Sequence, residues 1–219
     1  LVDVEIFGEQ IKVNDGSKLG VLGLYHDITI ERQSQEDLRA SEERFRHMFS
    51  DSPVALRMVD YSLVKDWLDK NYKHSGKTLI EFINQQPEVF DILASMPTII
   101  NLNEATLWLF GVKSMEDMQT SLLTILNIEF RKEAVNILEA MYRGEKMIER
   151  ELVYNRLDGS KVYTITKLSV LPGYEKSWGR VLFSNMDITE RKLAEERLTY
   201  ISLHDVMTGI YNRAFFEEE

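Results

Sequence analysis

The side chains that most often perform catalysis or bind metals are sparse in this sequence and follow no motif spacing. Its four histidines, His26, His47, His74 and His204, lie far apart, and there is no cysteine. Metal sites need several ligands at short, regular spacings, so these positions predict no metal site. The glycines form no phosphate-binding loop, and no nucleophile or paired-carboxylate motif is present. The sequence therefore predicts no catalytic centre within its 219 residues.

Composition restricts the partners and the cellular setting of the chain. Apolar residues make up 44% of it, and the formal net charge is -10. The apolar content suffices for a folded core, and the negative charge opposes binding to nucleic-acid phosphates. No apolar run is long enough to cross a bilayer, no signal peptide is visible, and the lack of cysteine fits a reducing cytoplasm. We therefore expect a cytoplasmic fragment that binds no nucleic acid, whose parent protein could carry a membrane anchor elsewhere.

One segment of the sequence occurs twice. Residues 27–32 and 187–192 both begin with Asp-Ile-Thr, follow an apolar strand pattern and lead into a charged helical pattern. The repeat predicts a last strand that feeds a long exit helix. Asp187 can accept backbone N–H groups of the new helix while Glu190 reaches back, as in a capping box. Such a cap would fix the helix start to the sheet, so the candidates for signal transmission are Asp187, Ile188, Thr189 and Glu190.

Between the two copies the sequence predicts one complete folding unit. Periodicity and turn residues give a helix, a strand, three short helices within residues 61–96, a second strand, more helices and three final strands. Asn103 is a predicted N-cap, and Asp158-Gly159 is a hairpin signal. The fold class is therefore α+β with one antiparallel sheet. The predicted strands are 54–59, 98–102, 148–156, 161–171 and 180–187, and the longest helix is 129–142.

Four stretches of this unit resemble the PAS family of sensor domains. They occur in the family's order at residues 45–53, 100–111, 156–160 and 187–192. The resemblance implies an antiparallel five-stranded sheet with helices on one face, flanked by long N- and C-terminal signalling helices. Residues 61–96 depart from the family pattern, in which the first strand leads directly to the second. We expect the three inserted helices to lie outside the ligand cup and to leave it intact.

The end of the sequence resembles a second family. Residues 204–213 are similar to the opening segment of GGDEF diguanylate cyclase domains, with Met207 and Ile210 in place of leucines. The resemblance implies that Asp205 and Arg213 pair where the stalk meets the cyclase, and that the catalytic loop lies further downstream. The predicted organisation is the C-terminal strands of an upstream PAS domain (1–28), a linker helix (29–44), a PAS domain (45–188), a coiled-coil signalling helix (189–204) and the beginning of a GGDEF domain (205–219).

PAS domains often carry cofactors, and the sequence argues against two of them. A flavin–thiol photoadduct needs a cysteine, which the chain lacks. Haem-binding PAS domains use an axial histidine on the long helix, but residues 129–142 contain no histidine. We therefore expect no haem, flavin or metal, and either a small organic ligand or none. The pocket candidates lie on predicted inner helix faces and central strands: Trp108, Phe130, Tyr154, Tyr163 and Phe183.

The exit helix carries a short apolar repeat. Ala194, Leu198 and Ile201 follow the four-then-three spacing of a coiled-coil seam, with Asp205 next in register. A helix of about two heptads is marginal in isolation, so we expect it to form against a partner. The sequence therefore predicts a parallel homodimer through the terminal helices. A helix packed on its own sheet is the alternative.

Three functions are compatible with these observations. The resemblances imply a sensor and dimerisation module, itself non-catalytic, that regulates a cyclase joining two GTP molecules into cyclic di-GMP. A histidine kinase sensor would need a phosphoacceptor histidine with its usual motif, but His204 is followed by Asp-Val-Met-Thr-Gly. The third function is a ligand-free dimerisation spacer with a filled core. A mass spectrum and a visible spectrum of the purified chain distinguish a bound ligand from an empty core.

Overall fold

Two separate folding units make up the chain, Leu1–Phe49 and Ser50–Glu219. The computed structural model describes residues 3–12, 19–125, 128–204 and 209–212.

The first unit is a β-hairpin followed by a helix. β1 (Val4–Lys12) and β2 (Leu19–Asp27) pair in antiparallel fashion, and α1 (Thr29–Ser50) follows at once. Phe45 and Phe49 stack near the end of α1, with ring centroids 6.0 Å apart. α1 is continuous across the position where the sequence analysis separates a linker helix from the next domain.

An antiparallel sheet of five strands organises the second unit. The strands are β3 (Ala55–Asp60), β4 (Thr98–Leu102), β5 (Met147–Asn155), β6 (Lys161–Val170) and β7 (Val181–Asp187). Their order across the sheet is β4–β3–β7–β6–β5, so the first strand of the unit pairs with its last. The register places Arg57 opposite Phe183 and Thr166 opposite Asn185.

Seven helices complete the described part of this unit. They are α2 (Ser62–Asn71), α3 (Leu79–Gln85), α4 (Glu88–Ser95), α5 (Glu104–Phe110), α6 (Met115–Ile125), α7 (Ile128–Tyr142) and α8 (Thr189–Leu203). The α+β class and the five-stranded antiparallel sheet confirm the fold predicted from the sequence.

Asn103 shows how local signals in the sequence become tertiary contacts. Its Oδ1 caps α5 by accepting the N–H of Thr106 at 3.1 Å, and it also accepts the N–H of Leu56 in β3 at 2.9 Å. Its Nδ2 donates to the carbonyl of Val54 at 2.8 Å. This buried amide therefore joins the start of α5 to the central strand, in addition to the capping that the sequence predicts.

The three inserted helices α2, α3 and α4 belong to the main hydrophobic core. Their apolar faces are buried together with residues of α7 and of the sheet. Tyr142 of α7 donates a hydrogen bond to Asp69 of α2 at 2.9 Å, and its ring meets that of Tyr72 edge-on at 5.4 Å. The insertion is thus part of the domain's interior rather than an appendage. The buried apolar residues of these helices are Val64, Leu68, Leu79, Ile83, Val89, Phe90 and Leu93.

Within the described part of the chain, none of the helices has the length and apolar character needed to cross a bilayer.

Candidate functional site

A cavity lies between the inner face of the sheet and the helices, where the sequence analysis places a ligand. Its volume is about 70 Å³. The wall is largely apolar because the inward-facing positions of alternating strands meet the buried faces of amphipathic helices. The sheet contributes Val59, Leu168 and Phe183 to this lining, and the helices contribute Phe90, Leu138 and the predicted pocket residue Phe130.

α4 of the insertion forms part of this wall through Phe90, Leu93 and Ala94. The expectation that the insertion lies outside the cup is therefore wrong. The sequence shows the amphipathic stripe of α4 but not its destination, and packing against α7 brings that stripe into the cavity. The insertion has a direct part in shaping any ligand site.

Arg57 is the charged residue of the cavity. It occupies an inward-facing position of β3 and is 5% exposed. Its guanidinium lies over the ring of Phe183 at 4.6 Å and near that of Phe110 at 5.3 Å. Its Nη1 is buried without a hydrogen-bond partner, and no carboxylate among the described residues forms an ion pair with it. Two aromatic faces compensate only part of the cost of burying a cation, so an anionic partner would be stabilising here.

Tyr61 is the second polar residue of the cavity wall. Its ring stacks on that of Phe183 with centroids 6.0 Å apart, and its backbone N–H donates to the carbonyl of Trp178 at 3.0 Å. Burial raises the pKa of Tyr61 to about 12, although the positive charge of Arg57 opposes the rise. The hydroxyl therefore stays protonated at neutral pH and can donate a hydrogen bond into the cavity.

Tyr154 belongs to a neighbouring polar network rather than to the cavity wall. The Thr166 hydroxyl accepts a hydrogen bond from Nδ2 of Asn185 at 2.6 Å and lies 3.3 Å from the Tyr154 hydroxyl. The Thr164 hydroxyl is 2.9 Å from that of Thr166. These buried groups connect β5, β6 and β7 and leave the Tyr154 ring packed on Phe130, with centroids 5.0 Å apart.

The five predicted pocket residues do not come together. Phe130 and Phe183 line the cavity, and Tyr154 is fully buried behind Phe130. Trp108 is 83% exposed, so its placement on an inner helix face is wrong. Tyr163 is also placed wrongly, because the neighbouring residues Val162 and Thr164 point inward and strand alternation turns Tyr163 to the other face.

Sequence reasoning missed Arg57 and Tyr61, the two polar groups of the cavity. A usable signal exists for Arg57, since Ala55, Arg57 and Val59 alternate along β3 and place a charge between two core residues. Leu56 and Met58 made the opposite phase equally acceptable from the sequence. Tyr61 follows the strand directly, and only the insertion's packing turns it toward the cavity.

The junction between β7 and α8 is held by Asp187, Ile188 and Thr189. Oδ1 of Asp187 accepts the N–H of Thr189 at 2.8 Å, and the Thr189 hydroxyl accepts the N–H of Tyr163 at 3.1 Å. The N–H of Ile188 donates to the carbonyl of Tyr163 at 2.9 Å. The capping box expected with Glu190 is absent at this described helix start, so that detail is corrected: Thr189 closes the junction.

The first copy of the repeat has the same bonding. Thr29 donates its N–H to Oδ1 of Asp27 at 3.0 Å and accepts the N–H of Asp3 at 2.9 Å. The N–H of Ile28 donates to the carbonyl of Asp3 at 3.0 Å. The sequence repeat is therefore a structural repeat of one strand-to-helix joint, present in both units.

The first turn of α8 is tied to the sheet, and the rest of the helix is exposed. Glu151 of β5 pairs with Arg191 at 2.8 Å and with Lys192 at 2.6 Å. The Lys192 ammonium, followed by the Arg191 guanidinium, lowers the pKa of the Glu151 carboxyl. The seam candidates Ala194, Leu198 and Ile201 are all exposed.

The end of α8 meets the short segment that resembles a GGDEF opening. The ring of His204 stacks on Tyr200 at 4.1 Å and on Tyr211 at 4.5 Å. Tyr211 and His204 also form an antiparallel bridge. Asp205 and Arg213, the predicted ion pair, lie outside the described residues.

Across the described residues, no group of three or more His, Cys, Asp or Glu side chains is arranged to hold a metal ion. No protein-family model matches the chain. A curated protein similar to it is the probable diguanylate cyclase DgcE of Escherichia coli (strain K12), 32% identical over 115 residues. That match covers 50% of this chain and 10% of the relative, so the chain spans about a tenth of that protein's length.

Two solved structures illustrate the structural similarity. The LOV protein of Rhodobacter sphaeroides superposes with a TM-score of 0.47 at 17% identity, over 73% of each chain. The PAS domain of an HTR-like protein from Haloarcula marismortui gives a TM-score of 0.45 at 17% identity, over 72% of this chain and 99% of that one.

Proposed function

We propose that this chain, whose second unit has the PAS fold, is a sensor and dimerisation module that regulates a GGDEF diguanylate cyclase domain through α8. In this proposal the cavity receives a small organic ligand, and β7 carries the resulting change to the start of α8. Two copies of α8 then set how two cyclase domains meet. The module itself performs no catalysis.

The observation that carries the proposal is that β7 belongs to both the cavity and the exit joint. Phe183 contacts both polar groups of the cavity, Arg57 and Tyr61. The same strand ends at Asp187, whose carboxylate holds Thr189 at the start of α8. A ligand that moves Phe183 therefore acts on the strand that positions the exit helix. A spacer without a ligand would need neither the cavity nor the buried cation.

The output half of the proposal is supported by similarity. Residues 204–213 resemble the start of a GGDEF domain, and the curated relative is named a probable diguanylate cyclase. A cyclase that joins two GTP molecules needs two catalytic subunits facing each other, so the geometry of the preceding helix pair is a natural point of control.

The coupling can be tested in the parent protein by measuring conversion of GTP to cyclic di-GMP. Ala134 lines the cavity, so Ala134→Leu should fill part of it and change turnover several-fold. Thr189→Val keeps the side-chain shape but removes the bond from the Tyr163 N–H, and should abolish that change in the double variant. Thr199→Val is the matched control, because the Thr199 hydroxyl bonds only within α8, to the carbonyl of Glu195. An undiminished Ala134→Leu effect in the Thr189→Val background would refute transmission through this joint.

A further inference from the structure

We infer that the ligand of the cavity is a small organic monocarboxylate, held by Arg57 through its carboxylate with its apolar body among the helices. The inference rests on the proposed function of the cavity as a ligand site and adds the chemical class of the ligand.

The charge of the site calls for one negative group. Arg57 is buried with an unused Nη1, and the cavity lining contains no aspartate or glutamate. An unpaired buried cation is costly, and a carboxylate matches the planar donor geometry of a guanidinium. The protonated hydroxyl of Tyr61 lines the same space and supplies a second kind of donor.

The remaining lining excludes more polar anions. Apart from Arg57 and Tyr61, every residue of the wall is apolar. A phosphate or a dicarboxylate would bring further charge and further acceptors that nothing in this wall could pair, and an amino acid would bury an ammonium group beside Arg57. A single carboxylate on a hydrocarbon body satisfies the donors without leaving polar atoms stranded.

Size selects the short members of this class. The cavity measures about 70 Å³. A cavity that accepts benzene measures about 150 Å³, roughly twice as large. A short aliphatic acid such as butyrate is therefore the better probe, and an aromatic acid such as benzoate should bind more weakly.

Binding by Arg57 would also reach the exit joint. The Arg57 guanidinium rests on the ring of Phe183, which lies on β7. A carboxylate that draws the guanidinium toward the cavity changes this contact at the strand that leads to Asp187.

Calorimetric titration of the purified chain tests the inference with butyrate, its neutral isostere butyramide, and inorganic phosphate. Butyrate should bind about 10- to 100-fold more tightly than butyramide, the range expected for a hydrogen bond to a charged group, and phosphate should not bind. Arg57→Met should lose butyrate affinity by a similar factor while affecting butyramide little. Arg150→Met is the matched control, because Arg150 is exposed on β5 and bonds to the carbonyl of Glu149.

The comparison of butyrate with butyramide in the unaltered chain decides the question even if Arg57→Met fails to fold. If butyramide binds as tightly as butyrate, or if Arg57→Met keeps full butyrate affinity, the monocarboxylate inference is wrong while the cavity remains a ligand site. If none of butyrate, butyramide and benzoate binds, the inference is wrong. The proposed function falls separately, if Ala134→Leu also leaves cyclic di-GMP production unchanged.

Discussion

At the level of single residues, Arg57 carries a positive charge that the described part of the chain leaves without an acidic partner. Aromatic rings provide its nearest compensation, through Phe183 at 4.6 Å and Phe110 at 5.3 Å. Replacing a poorly compensated buried charge by an apolar residue of similar volume is often neutral or stabilising. Arg57 is therefore better explained by what it can bind than by what it adds to stability.

Tyr61 makes the stability of the domain sensitive to alkaline pH. An unfolded tyrosine releases its proton near pH 10, whereas folded Tyr61 keeps it until about 12. Between these values the folded state binds more protons than the unfolded state, so the free energy of unfolding falls as pH rises. Tyr61→Phe should make this fall shallower, by about 1–3 kcal/mol across the interval. Urea unfolding at several pH values measures it, with pH 7 as the reference for lost contacts. Parallel pH curves for the two proteins would contradict the prediction.

At the level of elements, α8 is anchored only at its first turn. Thr189 bonds to β6, and Arg191 and Lys192 pair with Glu151 on β5. Beyond that turn none of its residues is buried. Exposed ion pairs contribute little, so the two bonds of the joint set the direction of the helix more than the salt bridges do. The partner predicted for the exposed seam remains a second copy of α8.

Asn103 is the residue through which α5 is attached to the central strand. Asn103→Ala removes an N-cap and leaves the N–H of Leu56 and the carbonyl of Val54 without their bonds. We expect a loss of about 2–4 kcal/mol in the free energy of unfolding, the sum of a lost cap and buried unpaired groups. Asn101→Ala is the matched control, since Asn101 is exposed and should change stability by less than about 0.5 kcal/mol. Equal effects of the two substitutions in denaturant unfolding would show that the tertiary bonds of Asn103 contribute nothing.

The seam of α8 can be mapped by crosslinking, because the chain has no native cysteine. Single cysteines at Ala194, Leu198 or Ile201 should form disulfide-linked dimers of the parent protein, whereas cysteines at Glu195 or Arg197 should not. Non-reducing gel electrophoresis after mild oxidation gives the result. Equal crosslinking at all five positions would identify the helix as a passive tether.

Insertions test whether the seam transmits rotation. Seven residues added to α8 restore the register of a heptad repeat, while four rotate one part of the helix against the other. Regulation of cyclic di-GMP production should survive the first insertion and be disturbed by the second. Indifference to the four-residue insertion would contradict control through helix phase.

At the level of the whole molecule, one joint is used twice and an insertion has been absorbed into a core. Each unit ends its sheet in an Asp-Ile-Thr joint that starts a helix, so a tandem of such units would pass changes along the chain in the same way each time. The inserted helices do not obstruct this arrangement. They form one wall of the cavity and so make the ligand site particular to this domain.

The purified chain should be colourless and should not convert GTP. The absence of cysteine removes the flavin–thiol adduct, the long helix has no histidine for haem, and the resemblance places the catalytic loop beyond residue 219. An absorption spectrum and a nucleotide assay test both points. A flavin or haem band, or formation of cyclic di-GMP by this chain, would refute the prediction.

The sequence by itself determined the elements and their order. Caps, hairpin glycines and the duplicated Asp-Ile-Thr are local signals, because their bonds join residues close in the chain, and they led to the correct α+β fold and exit joint. Which side chains meet in the cavity was decided by tertiary structure. Strand phase could not be read where both faces of β3 and β6 carry apolar residues, so Arg57 was missed and Tyr163 misplaced. The destination of α4 depends on packing against α7, far away in sequence, and no local pattern encodes such a contact.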